Sequence, residues 1–296
     1  MAHSKRQLNR YEAMVAWVFI LPTLLGLLIF RILPIFVTIG LSFTNWKMMG
    51  SFRWIGLLNY REMILFDPIF TLSMKNTVIF LLVSIPGSLS FALLVAMKLN
   101  EDIPGKTVFR TVYFIPYITT ITAIASVFLW IFHSQGIVSR LLFYASEGDP
   151  PNLLLDKRYV IYVLAIIQIW RSMGYSLIIY LAALQNIPPE LYESAEVDGA
   201  RPLQKFWNIT WPMLTPTTFF LIITEMISSF QAFDLVYAVT EGGPGTVSHV
   251  LAFYIYRVGF RLFRFGYASA LSVVLFLIIL VITLVQWRGQ KRWVYE

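Results

Sequence analysis

Apolar residues run along this chain in long unbroken stretches, without the strict alternation of a strand or the narrow stripe of a surface helix. Six stretches reach the ~20 residues that a helix needs to cross a bilayer at ~1.5 Å per residue. They fall at about 13–36, 76–97, 108–131, 159–183, 213–237 and 266–287. The pattern therefore predicts an all-α membrane protein with six transmembrane helices. Pro86-Gly87 in the second stretch predicts a kink, and Pro116 shapes the third. Between the stretches lie a short polar turn at 98–107, longer and partly apolar connections at 37–75 and 132–158, a polar insertion at 184–212, and a connection at 238–265 that begins with Glu241-Gly242-Gly243-Pro244-Gly245. No soluble domain and no internal repeat is evident, so residues 1–296 read as a single transmembrane domain. Lys5, Arg6 and Arg10 before the first apolar run resemble the start of a signal peptide. That run is too long for a signal core and no small-x-small site comes after it, so it reads as a retained first span.

Six spans put both ends on one side. Basic residues divide almost evenly between the two sides. Those on the N-terminal side sit in shorter loops near the span ends, which places both termini in the cytoplasm. Composition agrees with a membrane setting: 58% of the 296 residues are hydrophobic. Only 13% are charged, about half the share usual in soluble domains. Mean hydropathy is +0.70. The net charge of +7 collects at span ends beside anionic lipid headgroups and does not point to nucleic acid. With no cysteine, the chain has no disulfide, thiolate nucleophile or Cys-type zinc site. His3, His133 and His249 lack metal-ligand spacing, and no catalytic cluster stands at a span end. The expectation is a transport chain, neither an enzyme nor a metalloprotein.

Local chemistry divides 187–216 into two short helices. Pro188 and Pro189 suit a helix start, and Glu190 and Glu193 suit its positive end. Gly199 suits the left-handed position that stops the first helix. Pro202 can open the second, which Pro212 is expected to end where span five begins. The order Glu193-Ser194-Ala195, three residues, Gly199, nine residues, Ile209, Thr210, Trp211-Pro212 resembles the EAA loop of binding-protein-dependent ABC importer permeases. Ser194 and Trp211 replace the Ala and Leu of that pattern, and every spacing holds. Tyr180 to Pro188, Phe233 to Tyr237 and Thr240 to Gly245 are similar to neighbouring segments of carbohydrate-type permeases.

The resemblance implies a cytoplasmic coupling helix pair between spans four and five, docking on a separate ATPase through Glu193, Ser194, Ala195, Gly199, Ile209 and Pro212. It also implies a second related permease, two ATPase subunits, an extracytoplasmic solute-binding protein, and a prokaryotic cell (inner) membrane as the location. Alternating access would drive uptake of a sugar. Glu241-Gly242-Gly243-Pro244-Gly245 lacks the Lys-Ser/Thr of a phosphate loop, and no such loop occurs elsewhere. This chain is thus expected to bind no cofactor and to leave ATP hydrolysis to its partners.

Charges inside spans are costly and mark function. Arg31 falls near the outer interface and reads as snorkelling. Arg171 and Glu225 each lie 12 residues into spans four and five, near mid-depth, where they could line the pore and pair with each other. Gln168, Trp170 and Tyr175 on span four, with Phe230, Gln231 and Asp234 on span five, combine hydroxyl-binding groups with aromatic faces. That is what a sugar pathway needs, and ordinary helix packing would use the same residues. An ion-coupled secondary transporter and an ABC permease for a non-sugar solute such as glycerol phosphate stand as alternatives. The former would show inverted repeats.

Overall fold

The computed structural model describes residues 2–48, 50, 52–142 and 152–293. The middle of the 132–158 connection, residues 143–151, lies outside them. The described residues form no strand, and the one isolated bridge among them joins Thr44 to Trp54.

Helix α1 (Ala2–Leu27) passes through a π turn (Leu28–Ile32) into α2 (Leu33–Leu41). The wide turn precedes Pro34, whose ring would otherwise press on the carbonyl of Phe30, four residues back. Helix α3 (Leu58–Leu65) precedes α4 (Pro68–Asn100). Asp67 caps α4, its Oδ1 accepting from the N–H groups of Ile69 and Phe70 at 2.9 and 3.1 Å. Helices α5 (Lys106–Ile118) and α6 (Ile121–Ile131) divide the single span expected at 108–131, and they meet at 99°. Thr119 and Thr120 are both extended at the break, with ψ of 142° and 141°. Pro116 has no N–H to give the carbonyl of Val112, so the turn before the break is already short of a bond.

Helix α7 (Ile137–Leu142) is short, and α8 (Val160–Gln185) is uninterrupted. Then come α9 (Pro189–Val197), α10 (Pro202–Lys205), a π turn (Phe206–Thr210) and α11 (Trp211–Phe230). The last three form one continuous rod, Pro202–Phe230. Pro212 therefore does not end a helix, contrary to the expectation from sequence. The preceding π turn takes up its ring, as it does at Pro34. Pro216 leaves the carbonyl of Pro212 without its usual N–H, and Thr215 Oγ1 donates to that carbonyl at 2.7 Å instead. The fifth span also stops at Phe230, short of the expected 237. A turn at Gln231-Ala232 separates it from α12 (Phe233–Val239). Helix α13 (Leu251–Tyr256), a π turn (Arg257–Arg261) and α14 (Phe265–Trp293) complete the chain.

Five helical segments are thus long and apolar enough to cross a membrane, or six if α5 and α6 count as one bent span. Internal contacts divide the chain into two units, Met1–Leu65 with Val258–Val274 and Phe66–Arg257 with Leu275–Glu296. In the first, Arg264 Nη2 forks onto Glu62 at 2.8 and 2.9 Å. Asn59 Nδ2 there donates to the carbonyls of Ser42 and Thr44 at 2.7 and 2.8 Å.

The second unit is built on α4 and α8, which run side by side in the same direction. Their N-terminal halves share a core with α6, α12 and α13 that includes Phe80, Val160, Leu164, Leu235 and Val236. Their C-terminal halves share another with α11 that includes Ala92, Ala96, Leu177, Leu181, Leu214 and Leu221. Gly174 lets the backbone of α5 at Tyr113 lie directly against α8, where any side chain would collide with the Tyr113 carbonyl.

Candidate functional site

Two groups of candidate residues fall in the second unit. One lies at the turn between α9 and α10. The Gly199 N–H donates to the Glu196 carbonyl at 3.0 Å and the Ala200 N–H to the Ala195 carbonyl at 2.8 Å, closing a Schellman motif. Gly199 has φ +74° with open space where a Cβ would stand, so conformation alone requires glycine there.

Gln204 Oε1 accepts the Arg201 N–H at 2.7 Å and starts α10. Lys205 Nζ reaches Glu196 Oε2 at 3.2 Å, and the hydroxyls of Tyr192 and Thr210 lie 2.9 Å apart, tying α9 to the rod. Glu193 and Ser194 are exposed, Ser194 Oγ donating to the Glu190 carbonyl at 2.8 Å. Ala195 and Pro212 are half-buried, and Ile209 packs on the C-terminal core. The turn carries large exposed apolar side chains: Val197 is 89% exposed and Leu203 69%.

The other group lies between the long helices. Glu225 of α11 is buried, and its Oε1 accepts from Ser88 Oγ of α4 at 2.7 Å and Ser176 Oγ of α8 at 2.6 Å. Ser172 Oγ sits 3.0 Å from Ser88 Oγ and donates to the Gln168 carbonyl at 2.8 Å. Three helices therefore meet on one carboxyl group.

Arg171 does not join them, which corrects the pairing with Glu225 considered from sequence. Its Nη1 lies 3.0 Å from Asp234 Oδ2 of α12, while Asp234 Oδ1 accepts the Leu235 N–H at 2.9 Å. Helix phase is the reason. Ser172 and Ser176, four apart, share the face toward Glu225, whereas Arg171 is turned about 100° from Ser172.

Gln168 is buried with its Oε1 unpartnered. Trp170 meets Phe128 edge-on at 5.2 Å, and Tyr175 stacks on Tyr117 at 5.1 Å. Phe230 is buried and Gln231 exposed. The serines escaped sequence reasoning, as did the contact of Tyr192 with Thr210. The visible signal for Ser172 and Ser176 was their four-residue spacing on span four. No group of three or more His, Cys, Asp or Glu among the described residues is placed to hold a metal.

Comparisons with known proteins address the family of the chain. Residues 88–293 match the family described as "Binding-protein-dependent transport system inner membrane component". The chain is 35% identical over 295 residues to the lactose transport system permease protein LacF of Rhizobium radiobacter, covering 98% of each chain. It superposes with a TM-score of 0.83 and 26% identity on a crystal structure of a bacterial ABC transporter involved in the import of the acidic polysaccharide alginate, covering 97% of this chain and 99% of that one. A second structure of a bacterial alginate ABC transporter, in complex with alginate pentasaccharide-bound periplasmic protein, matches with a TM-score of 0.83, 25% identity and 96% coverage of both chains.

Proposed function

The chain belongs to the inner membrane components of binding-protein-dependent transport systems, and from that premise we propose a division of labour between its two groups of candidate residues. It is a permease subunit of an ABC sugar importer. In our reading the turn between α9 and α10 is the cytoplasmic surface on which a separate ATPase subunit docks. Glu193, Ser194, Ala195, Gly199, Ile209 and Pro212 shape that surface. The faces of α8 and α12 around Arg171 and Asp234 line the route of the solute. A second related permease completes that route, and an extracytoplasmic binding protein delivers to it. Both termini are cytoplasmic, with α5 and α6 crossing together as the third span, which is bent.

The observation that carries the docking reading is the exposure of Val197 and Leu203 on either side of the Gly199 turn. Apolar side chains displayed in this way mark an interaction surface. The rod Pro202–Phe230 then gives that surface a mechanical connection to Glu225. A push at the turn moves α11 as a body, and the Tyr192–Thr210 contact makes α9 move with it. Two states of the route, each favoured by different partners, are the requirement for coupling ATP to transport.

The experiment is Val197→Asp in the assembled transporter. Docking predicts that sugar-stimulated ATP hydrolysis and uptake fall together, at least tenfold, while the chain still reaches the membrane. Unchanged stimulation would place the ATPase contact elsewhere.

A further inference from the structure

The charge arrangement on the proposed route points to the kind of saccharide that passes. On α8, Gln168, Arg171 and Tyr175 succeed one another at three and four residues and share a face. On α12, Asp234 and Tyr237 do the same, with Gln231 just before them. The two faces meet at the Arg171–Asp234 pair. Both members are within reach of a solute, with side-chain exposures of 26% and 43%. Trp170 and Tyr237, each 38% exposed, add apolar ring surface.

We infer that this route selects neutral, hydroxyl-rich saccharides and disfavours uronic or phosphorylated ones. The inference rests on the reading of these faces as the solute's route. An anionic solute needs an uncommitted cation to offset its charge. Here the guanidinium of Arg171 is already neutralised by Asp234. The carboxylate is held in place by the Leu235 N–H at the start of α12, so it does not swing away readily. Arg110, whose Nε is unpartnered, lies on α5 two turns nearer the inner end than Tyr117, and so away from the level of the pair.

Hydroxyls bridge an Arg–Asp pair without breaking it, accepting from one member and donating to the other. A uronate must compete with Asp234 for the guanidinium of Arg171.

The test uses the assembled transporter in proteoliposomes, with cysteine-free partner subunits. This chain has no cysteine of its own, so Gln231→Cys gives one thiol, three residues from Asp234. Its alkylation by N-ethylmaleimide is measured against maltotriose as the neutral probe and trigalacturonate as the acidic one. We expect maltotriose to protect at about tenfold lower concentration than trigalacturonate. Adding Asp234→Asn, which releases Arg171, should close most of that gap, and Asp234→Glu should restore it. Equal protection by both probes, or a gap that Asp234→Asn leaves unchanged, overturns the charge selection and leaves the route standing. Protection by neither probe overturns the route and this inference with it.

Discussion

Arg171 and Ser172 are neighbours in the chain, yet on α8 they face about 100° apart, and that single step sends Arg171 to Asp234 and Ser172 to Ser88, a partner of Glu225. Asp234 takes the guanidinium, and Glu225 takes the hydroxyls of Ser88 and Ser176. Double-mutant cycles should separate the two arrangements. Arg171→Ala and Asp234→Ala should be non-additive in melting experiments by about 1 kcal/mol, and Arg171→Ala with Glu225→Ala should add. Additivity for the first pair would mean that the ion pair contributes nothing.

His249 gives a second residue-level expectation. It is fully buried in the segment between α12 and α13, which Asn76 and Thr77 fasten to α4. Burial, and then the nearby Arg257 guanidinium, lower its pKa to about 4. Arg257 Nη1 donates to Nε2 at 2.9 Å, so the ring proton is assigned to Nδ1. A lowered histidine pKa means that the folded chain resists a proton that the unfolded chain accepts. Its contribution is complete above the ordinary value of about 6.5 and drains away as pH falls toward 4. Melting temperature in detergent should drop between pH 7 and pH 5, and His249→Gln should flatten that slope. The charged residues inside spans were legible because their type alone marks them. Their partners were not, since serine in a span is common and only helix phase gives it a direction.

Among the elements, prolines act on the spans by different means. Pro116 precedes the sharp bend between α5 and α6, and Pro34 and Pro212 each come just after a π turn. Pro86 sits inside α4, which runs on through it as one helix. Hydropathy averaged over a window records apolar length, and it is blind to one additional residue in a turn or to two extended threonines. That is why 108–131 read as one span and why 202–212 read as a separate helix. The contact of α5 with α8 was likewise hidden, because it depends on the absence of a side chain at Gly174. Gly174→Ala would put a methyl group against the Tyr113 carbonyl. We expect a loss of about 1–3 kcal/mol, the usual range for overpacking, read as a lowered melting temperature. Full stability would show that α5 is not seated where the structure places it.

At the scale of the molecule, apolar length and motif spacing together were enough to read a helical membrane permease, and family membership agrees. The side on which each loop lies depends on whether α5 and α6 cross the bilayer together. The chain's lack of cysteine allows a direct measurement. Asp102→Cys and Gln135→Cys flank the bent pair, and six spans predict that an impermeant thiol reagent applied outside intact cells labels the second and not the first. Labelling of both, or of neither, would leave five crossings.

The π turn at Phe206–Thr210 has a consequence of another kind, for insertions and deletions. A wide turn is the form a helix takes when it absorbs one surplus residue without changing the phase of the residues beyond it. Losing a residue there tightens the turn to an ordinary one and leaves Glu225 facing Ser88 and Ser176. Losing one at Phe219 would instead rotate Glu225 by about 100°, away from both serines. Along this rod, length is therefore free to drift at its N-terminal root and locked over its membrane-spanning body.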